Sequence, residues 1–234
     1  MRLATIHQPQ YLPYMGFLAK VDASDIFVLY DIADCQTRNF VHRNRIMTKD
    51  GIAWLTIPVH GHQKKPIRDI EIDGTAWKDK HLKTVKHAYG KSELFDKYFP
   101  GYKMALSIRS KWLLDYDIAT MLWLFDSFGI YPKFLVASEL WDVSGFSSGM
   151  KLAILSQKSG ADSYLAGPAW RDYMDNTSEF DKCGVDFYEA LIDCDEYNGF
   201  RGNEKNLSSM DLLFSSLWPL IHIKKSIKVR RVPK

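Results

Sequence analysis

The chain predicts an α/β fold in three layers: a mostly parallel central sheet with helices on both faces. Three observations predict it. Short apolar or β-branched runs recur along the chain with helix-compatible segments between them, a spacing that suits parallel strands joined by helical crossovers. Ile26-Phe27-Val28-Leu29-Tyr30 is apolar throughout rather than alternating, as expected of a strand covered on both faces. Gly129 and Gly160 stand where helices would stop.

The elements follow in order. Leu3 to Ile6 reads as a buried strand and Gly16 to Val21 as a short helix, with Pro9 and Pro13 forbidding regular structure between them. Asp22-Ala23-Ser24-Asp25 ends that helix before the second strand. Ala53 to Val59 reads as a strand that Pro58 confines to an edge or a strand end, and Ile70 to Ile72 as a short return strand. Trp77 to Tyr89 is a basic amphipathic helix, and Gly101 to Phe128 offers one long helical pattern with Leu106, Trp112, Leu113, Ile118, Met121, Leu122, Leu124 and Phe125 as its apolar face. Strand and helix then alternate again: Lys133 to Val136, Gly149 to Lys158, Ser163 to Ala166 and Val185 to Tyr188. No repeat or low-complexity linker divides the chain, so residues 1–214 are expected to form one α/β domain. Residues 215–234 are expected to form a basic, mobile tail, because Lys224, Lys225, Lys228, Arg230, Arg231 and Lys234 follow one another there without an acidic residue.

The 234 residues suffice for one substantial core, and 46% hydrophobic with 25% charged residues is ordinary globular composition. An aromatic share of 14% provides flat apolar walls for a small-molecule ligand. A net charge of only +3 argues against nucleic acid as the partner. Cys35, Cys183 and Cys194 are widely spaced with no C-x-x-C pair, which suits a reducing, cytoplasmic setting. No run approaches the about 18 apolar residues of a membrane span. The oligomeric state is open.

Chemistry concentrates at three places. Ile6-His7-Gln8-Pro9-Gln10-Tyr11-Leu12-Pro13-Tyr14 lies where a strand hands over to a helix, the junction at which open α/β sheets hold ligands. Arg38-Asn39-Phe40-Val41-His42-Arg43-Asn44-Arg45, shortly after Asp31, gathers guanidinium, amide and imidazole donors able to clasp a phosphate or carboxylate. A solvated basic loop paired with Asp31 and Asp34 is the plainer account of that run. At Leu165-Ala166-Gly167-Pro168-Ala169 a strand end gives way to a turn that lets backbone approach a ligand. His60-x-His62 lacks further ligands at zinc spacing, so no metal is expected. Cys35 reads as a small buried hydrophobe rather than a nucleophile.

Together these segments resemble the WbqC-like family. The resemblance is carried by Ile6 to Tyr14 with Gly16-Phe17, Ser24 to Val28, Arg43-Asn44-Arg45-Ile46, Trp54 to Val59, Gly160 to Pro168 and Leu207 to Phe214. The chain departs from the family pattern at Asp31-Ile32-Ala33-Asp34, where an acidic pair and a glutamine are usual, and at His42, where asparagine is frequent. The resemblance implies a transferase of bacterial surface-polysaccharide or O-antigen biosynthesis that moves an acyl or aminoacyl group, such as glycyl, onto an amino sugar carried on a nucleotide. On that reading His7 is the general base, with an ordinary pKa of about 6.5, and Asp31 is the second catalytic candidate. Arg43 and Arg45 hold a diphosphate or carboxylate, Asn39 and Asn44 orient it, Tyr11 forms an aromatic wall, Gln8 and His42 add donors, and Gly167 and Pro168 shape the opposite lip. The reading requires His7 and the arginines to share one cleft. The strand, histidine loop and helix are also similar in outline to nucleotidylyltransferase-like folds, which gives a nucleotidyl-transferring or adenylate-forming alternative. A sugar-nucleotide-binding protein without turnover is the third. The cofactor is unknown apart from the acyl or aminoacyl donor.

Overall fold

The computed structural model describes residues 1–35, 40–61, 64–174, 176–193 and 206–233. Strands β1 (Leu3–His7), β2 (Ile26–Leu29), β5 (Lys133–Val136), β6 (Ser163–Ala166), β7 (Asp186–Ile192) and β8 (Ile227–Arg231) form a six-stranded sheet in the order β5-β2-β1-β6-β7-β8. All neighbours are parallel except β7 and β8. A separate two-stranded hairpin pairs β3 (Arg43–Thr48) with β4 (Gly51–Thr56).

Successive side chains of β1 point to opposite faces, and each face has its own cover. Ala4 and Ile6 join Ile26 and Val28 in a core closed by α6 (Ser148–Ser159) and α7 (Ser178–Lys182). On the other face Phe27 meets Phe17 of α1 (Met15–Asp22) and Phe125 of α4 (Leu113–Phe128), with ring centroids 5.6 and 5.8 Å away. The three-layer α/β architecture is therefore present, and β2 is apolar throughout because both of its faces are covered. The helices α2 (Ala76–Tyr89) and α3 (Phe95–Leu106) extend the larger core beyond the sheet.

The single helix expected over 101–128 is two. α3 ends at Leu106 and α4 starts at Leu113. The break is fixed locally, as Trp112 donates its backbone N–H to Ser110 Oγ (3.0 Å) and the Tyr116 hydroxyl donates to the Ser110 carbonyl (3.0 Å). The C-terminal segment also departs from expectation. Residues 219–225 form a helix, here α9 (Pro219–Lys225), and β8 adds a sixth strand by pairing Tyr188 with Arg231 through Ile192 with Ile227. Its lysines and arginines are tolerated because an edge strand leaves one side and much of its surface in water. Ahead of them α5 (Ala137–Leu140) and α8 (Met210–Ser215) complete the helices used below.

Candidate functional site

Reading outward from β1, the chain runs β1, β2, β5 in one direction and β6, β7 in the other. The crevice beyond the carboxyl ends of β1 and β6 is thus the point where the strand order reverses, the place where open α/β sheets bind ligands. A cleft of about 510 Å³ lies there, within the range of about 300–1,000 Å³ usual for small-molecule sites. His7 is the last residue of β1, and Gly167 follows the last residue of β6. Phe17, Tyr14, Tyr30, Tyr164 and Tyr173 provide aromatic walls, and Ser148, the first residue of α6, closes the far side. A Cβ at Gly16 would stand 2.7 Å from the Tyr14 ring and 3.2 Å from Ile192, so a glycine lets the start of α1 lie against this wall.

His7 is held in one orientation. Its Nδ1 lies 2.9 Å from the Gln8 carbonyl, an acceptor, so Nδ1 carries the proton and Nε2 keeps its lone pair. Phe17 packs edge-on against the ring at 4.8 Å. The ordinary value of about 6.5 expected from the sequence does not hold, because burial, aided by repulsion from Lys20, lowers the imidazole pKa to about 3. Lys20 is the unexpected member. It lines the same cleft with only 4% of its surface exposed, and burial lowers its pKa to about 7. Its Nζ would lie 3.7 Å from a Cβ placed on Gly167, so the amine reaches across to the β6 lip. Among the described residues no carboxylate lines the cleft, and none forms an ion pair with Lys20.

Of the residues singled out from sequence, His7, Gln8, Gly167 and Pro168 meet in this cleft. The others stand elsewhere. Tyr11 is fully buried and forms no wall: its hydroxyl lies 2.9 Å from both His81 Nδ1 and the Tyr102 hydroxyl. His81 donates its other nitrogen to the Thr56 carbonyl (3.1 Å), and burial lowers its pKa to about 4. Asn44 is fully buried and donates to the carbonyls of Tyr11 (3.3 Å) and Leu12 (2.7 Å). It positions the loop after His7 rather than a ligand. Arg43 and Arg45, one residue to either side on β3, project to the opposite face of the hairpin and stack on the half-exposed Trp54 ring at 4.4 and 5.6 Å. They are not among the residues of the cleft, so the histidine and the arginines occupy two places.

Asp31 is also outside the cleft; its buried carboxylate accepts the Ser138 backbone N–H (3.0 Å) in the first turn of α5. His42 is half-buried, with Nδ1 3.2 Å from the Ile57 carbonyl. Asn39, with Arg38, His62 and Cys194, lies outside the described residues. Cys35 is buried, and among the described residues no cluster of histidine, cysteine and carboxylates could hold a metal.

Fold and cleft define an α/β protein with a cleft at the switch point of its sheet. Residues 8–221 match the WbqC-like protein family, to which this chain belongs. The uncharacterized protein Rv1507c of Mycobacterium tuberculosis is 30% identical over 231 residues, covering 92% of this chain and 94% of that protein. No solved structure matches. No helix among the described residues is long and apolar enough to cross a membrane.

Proposed function

We propose that this protein transfers an acyl or aminoacyl group onto the amine of an amino sugar carried on a nucleotide, in the assembly of a bacterial surface polysaccharide, and that His7 is its general base. With Arg43 and Arg45 outside the cleft, the shared arginine clasp is dropped from the reading, and the observation that carries it is the oriented His7 imidazole, with Nε2 unprotonated, in an aromatic-walled cleft at the switch point. The amine nitrogen attacks the acyl carbonyl and its proton passes to Nε2. The carbon–oxygen or carbon–sulfur bond to the leaving group then breaks, and the histidine returns the proton to that group. Gly167 and Pro168 leave room for the sugar at the lip of the cleft. Family membership supports the glycan context, and the donor is described no further than an activated acyl group.

The test is turnover of nucleotide-linked amino sugars with activated acyl and aminoacyl donors, followed by mass spectrometry. His7→Gln is expected to lower kcat by about 10²–10⁴-fold with little change in substrate affinity. Unchanged turnover would remove His7 from the chemistry. The strand order favours a second reading, nucleotidyl transfer, because switch-point crevices are common nucleotide sites. Pyrophosphate release from a nucleoside triphosphate in place of acyl transfer would select it.

A further inference from the structure

We propose that Lys20 is the anion-holding residue of the cleft, and that the group it holds is a phosphate of the ligand. This rests on reading the switch-point cleft as the substrate site, and it gives that site a binding residue and a ligand class.

The argument begins with an imbalance. A lysine that is 4% exposed sits on a short helix whose other residues in that stretch, Gly16 to Val21, are apolar or small. Burying an ammonium without a partner is costly, and a buried lysine is ordinarily paired. Among the described residues that line the cleft there is no carboxylate. Facing Lys20 across the cleft are His7 from β1, Tyr30 after β2, Tyr164 from β6 and Tyr173. On the elements packed against α1, Glu189 of β7 is held by Arg171 and Arg230, and Asp186 by Arg231. Asp22 of α1 itself interacts with Lys224 of α9, and His222, Lys225 and Lys228 add only basic groups. The amine, aimed at the Gly167 lip, is complementary to an anion that the described protein does not supply.

The rest of the cleft points to phosphate rather than to a small carboxylate. About 510 Å³ with flat aromatic walls exceeds what an acetyl or glycyl group fills and suits a nucleotide or sugar phosphate. Binding such a group also acts on His7. A phosphate on Lys20 cancels the repulsion that helps hold the imidazole unprotonated, so its proton affinity rises when substrate is present. Because burial leaves the amine partly neutral near pH 7, binding an anion takes up a proton.

Titration calorimetry tests this on the full chain, using ADP, CDP, GDP, TDP, UDP, inorganic pyrophosphate, uridine and glycine with wild type, Lys20→Met and Arg43→Met. At least one nucleoside diphosphate is expected to bind, with uridine and glycine far weaker. Lys20→Met should weaken that diphosphate by about 10–100-fold. In wild type the affinity should fall about tenfold per unit above pH 8 and be flat in Lys20→Met. Proton uptake, read from the heat of binding in buffers of different ionisation enthalpy, gives the same answer in wild type should the variant fail to fold. Any of three results overturns the proposal: no phosphate compound binding, binding indifferent to Lys20 and to pH, or binding lost in Arg43→Met and kept in Lys20→Met. Lys20-dependent binding of glycine alone would overturn the phosphate assignment. The two proposals separate cleanly, since diphosphate binding without acyl transfer sinks only the transfer reading. His7-dependent transfer to an acceptor without phosphate sinks only this one.

Discussion

Ionisable side chains buried in the fold are a burden on its stability, and the burden depends on pH. The Lys20 pKa is lowered by burial from 10.5 to about 7. Between those values the unfolded chain holds a proton that the folded chain lacks, so stability rises with pH from about 7 to 10.5. Lys20→Met is expected to be about 1–3 kcal/mol more stable than wild type at pH 7 and to lose that advantage toward pH 10. Urea unfolding at both pH values checks it, and an unchanged midpoint would mean that the amine is hydrated in solution. Asp117 has the opposite sign. It is fully buried in α4, neither carboxyl oxygen has a hydrogen-bond partner among the described residues, and burial raises its pKa well above 3.8. Here the folded state holds the extra proton, so stability falls as pH rises above about 4. Asp117→Asn should add about 1–3 kcal/mol at pH 8 and little at pH 4, read by thermal melting at the two pH values. Of the residues at issue, His7 was legible in the sequence because it follows an apolar run and precedes two prolines. Lys20 was hidden, since one lysine in a short apolar helix looks like a solvated end. The available signal was its spacing of four from Gly16, which puts both on the same helix face.

At the level of elements, distant segments are fastened around the loop 8–14. Asn44 of β3 holds the carbonyls of Tyr11 and Leu12, Ser209 donates its backbone N–H and its hydroxyl to the Pro13 carbonyl (2.9 and 2.8 Å), and Ser208 donates to the Arg45 carbonyl (2.8 Å). Asp211 in α8 accepts from Met47 N–H. Leu12 has φ of 50°, a left-handed conformation unusual for leucine, and these bonds hold it there. Segments that carry the family resemblance, Arg43 to Ile46 and Leu207 to Phe214, thus meet at the His7 loop. Asn44→Ala leaves two buried carbonyls without a donor and releases Leu12. A loss of about 2–3 kcal/mol is expected, together with a fall in kcat as His7 loses its fixed orientation. Denaturant unfolding and turnover measured side by side check it; lost stability with kcat intact would confine Asn44 to the fold. The sequence placed Arg43 to Arg45 in a ligand-clasping run because charge density was the visible signal. The alternation of a strand decided the matter instead, turning the amide inward and the guanidiniums outward.

Across the whole molecule, alternating strands and helices made the layered α/β class legible, but the order of strands was not, because nothing local states which parallel strands become neighbours. That order is what brings His7 and Gly167, distant in sequence, to one rim. The closing strand was missed for a related reason: a basic C-terminus looks solvated until its partner, Glu189 of β7, is known. Glu189 is buried to 4% exposure and accepts from Trp170 Nε1 (3.0 Å), Arg171 (3.1 Å) and Arg230 Nε (2.8 Å). One carboxylate therefore ties β8 and the turn after the Gly167 lip to β7. The bonds from Trp170 and Arg230 lower its pKa from 4.5 to about 2. Its contribution to stability is full above pH 4.5 and is lost as pH falls through about 2. Both arginine partners are more than half exposed, so screening reduces the figure to about 1–2 kcal/mol. Glu189→Gln keeps the shape and an acceptor for Trp170 but removes the negative charge that pairs with both arginines. Its stability deficit should be largest at neutral pH, shrink with added salt and vanish near pH 2, as guanidinium-free unfolding with urea would record. Because Trp170 and Arg171 follow the lip directly, the same substitution should raise KM while leaving the His7-dependent step unchanged. A deficit that persisted at pH 2 would mean that packing, and not the ion pairs, fastens the last strand to the sheet.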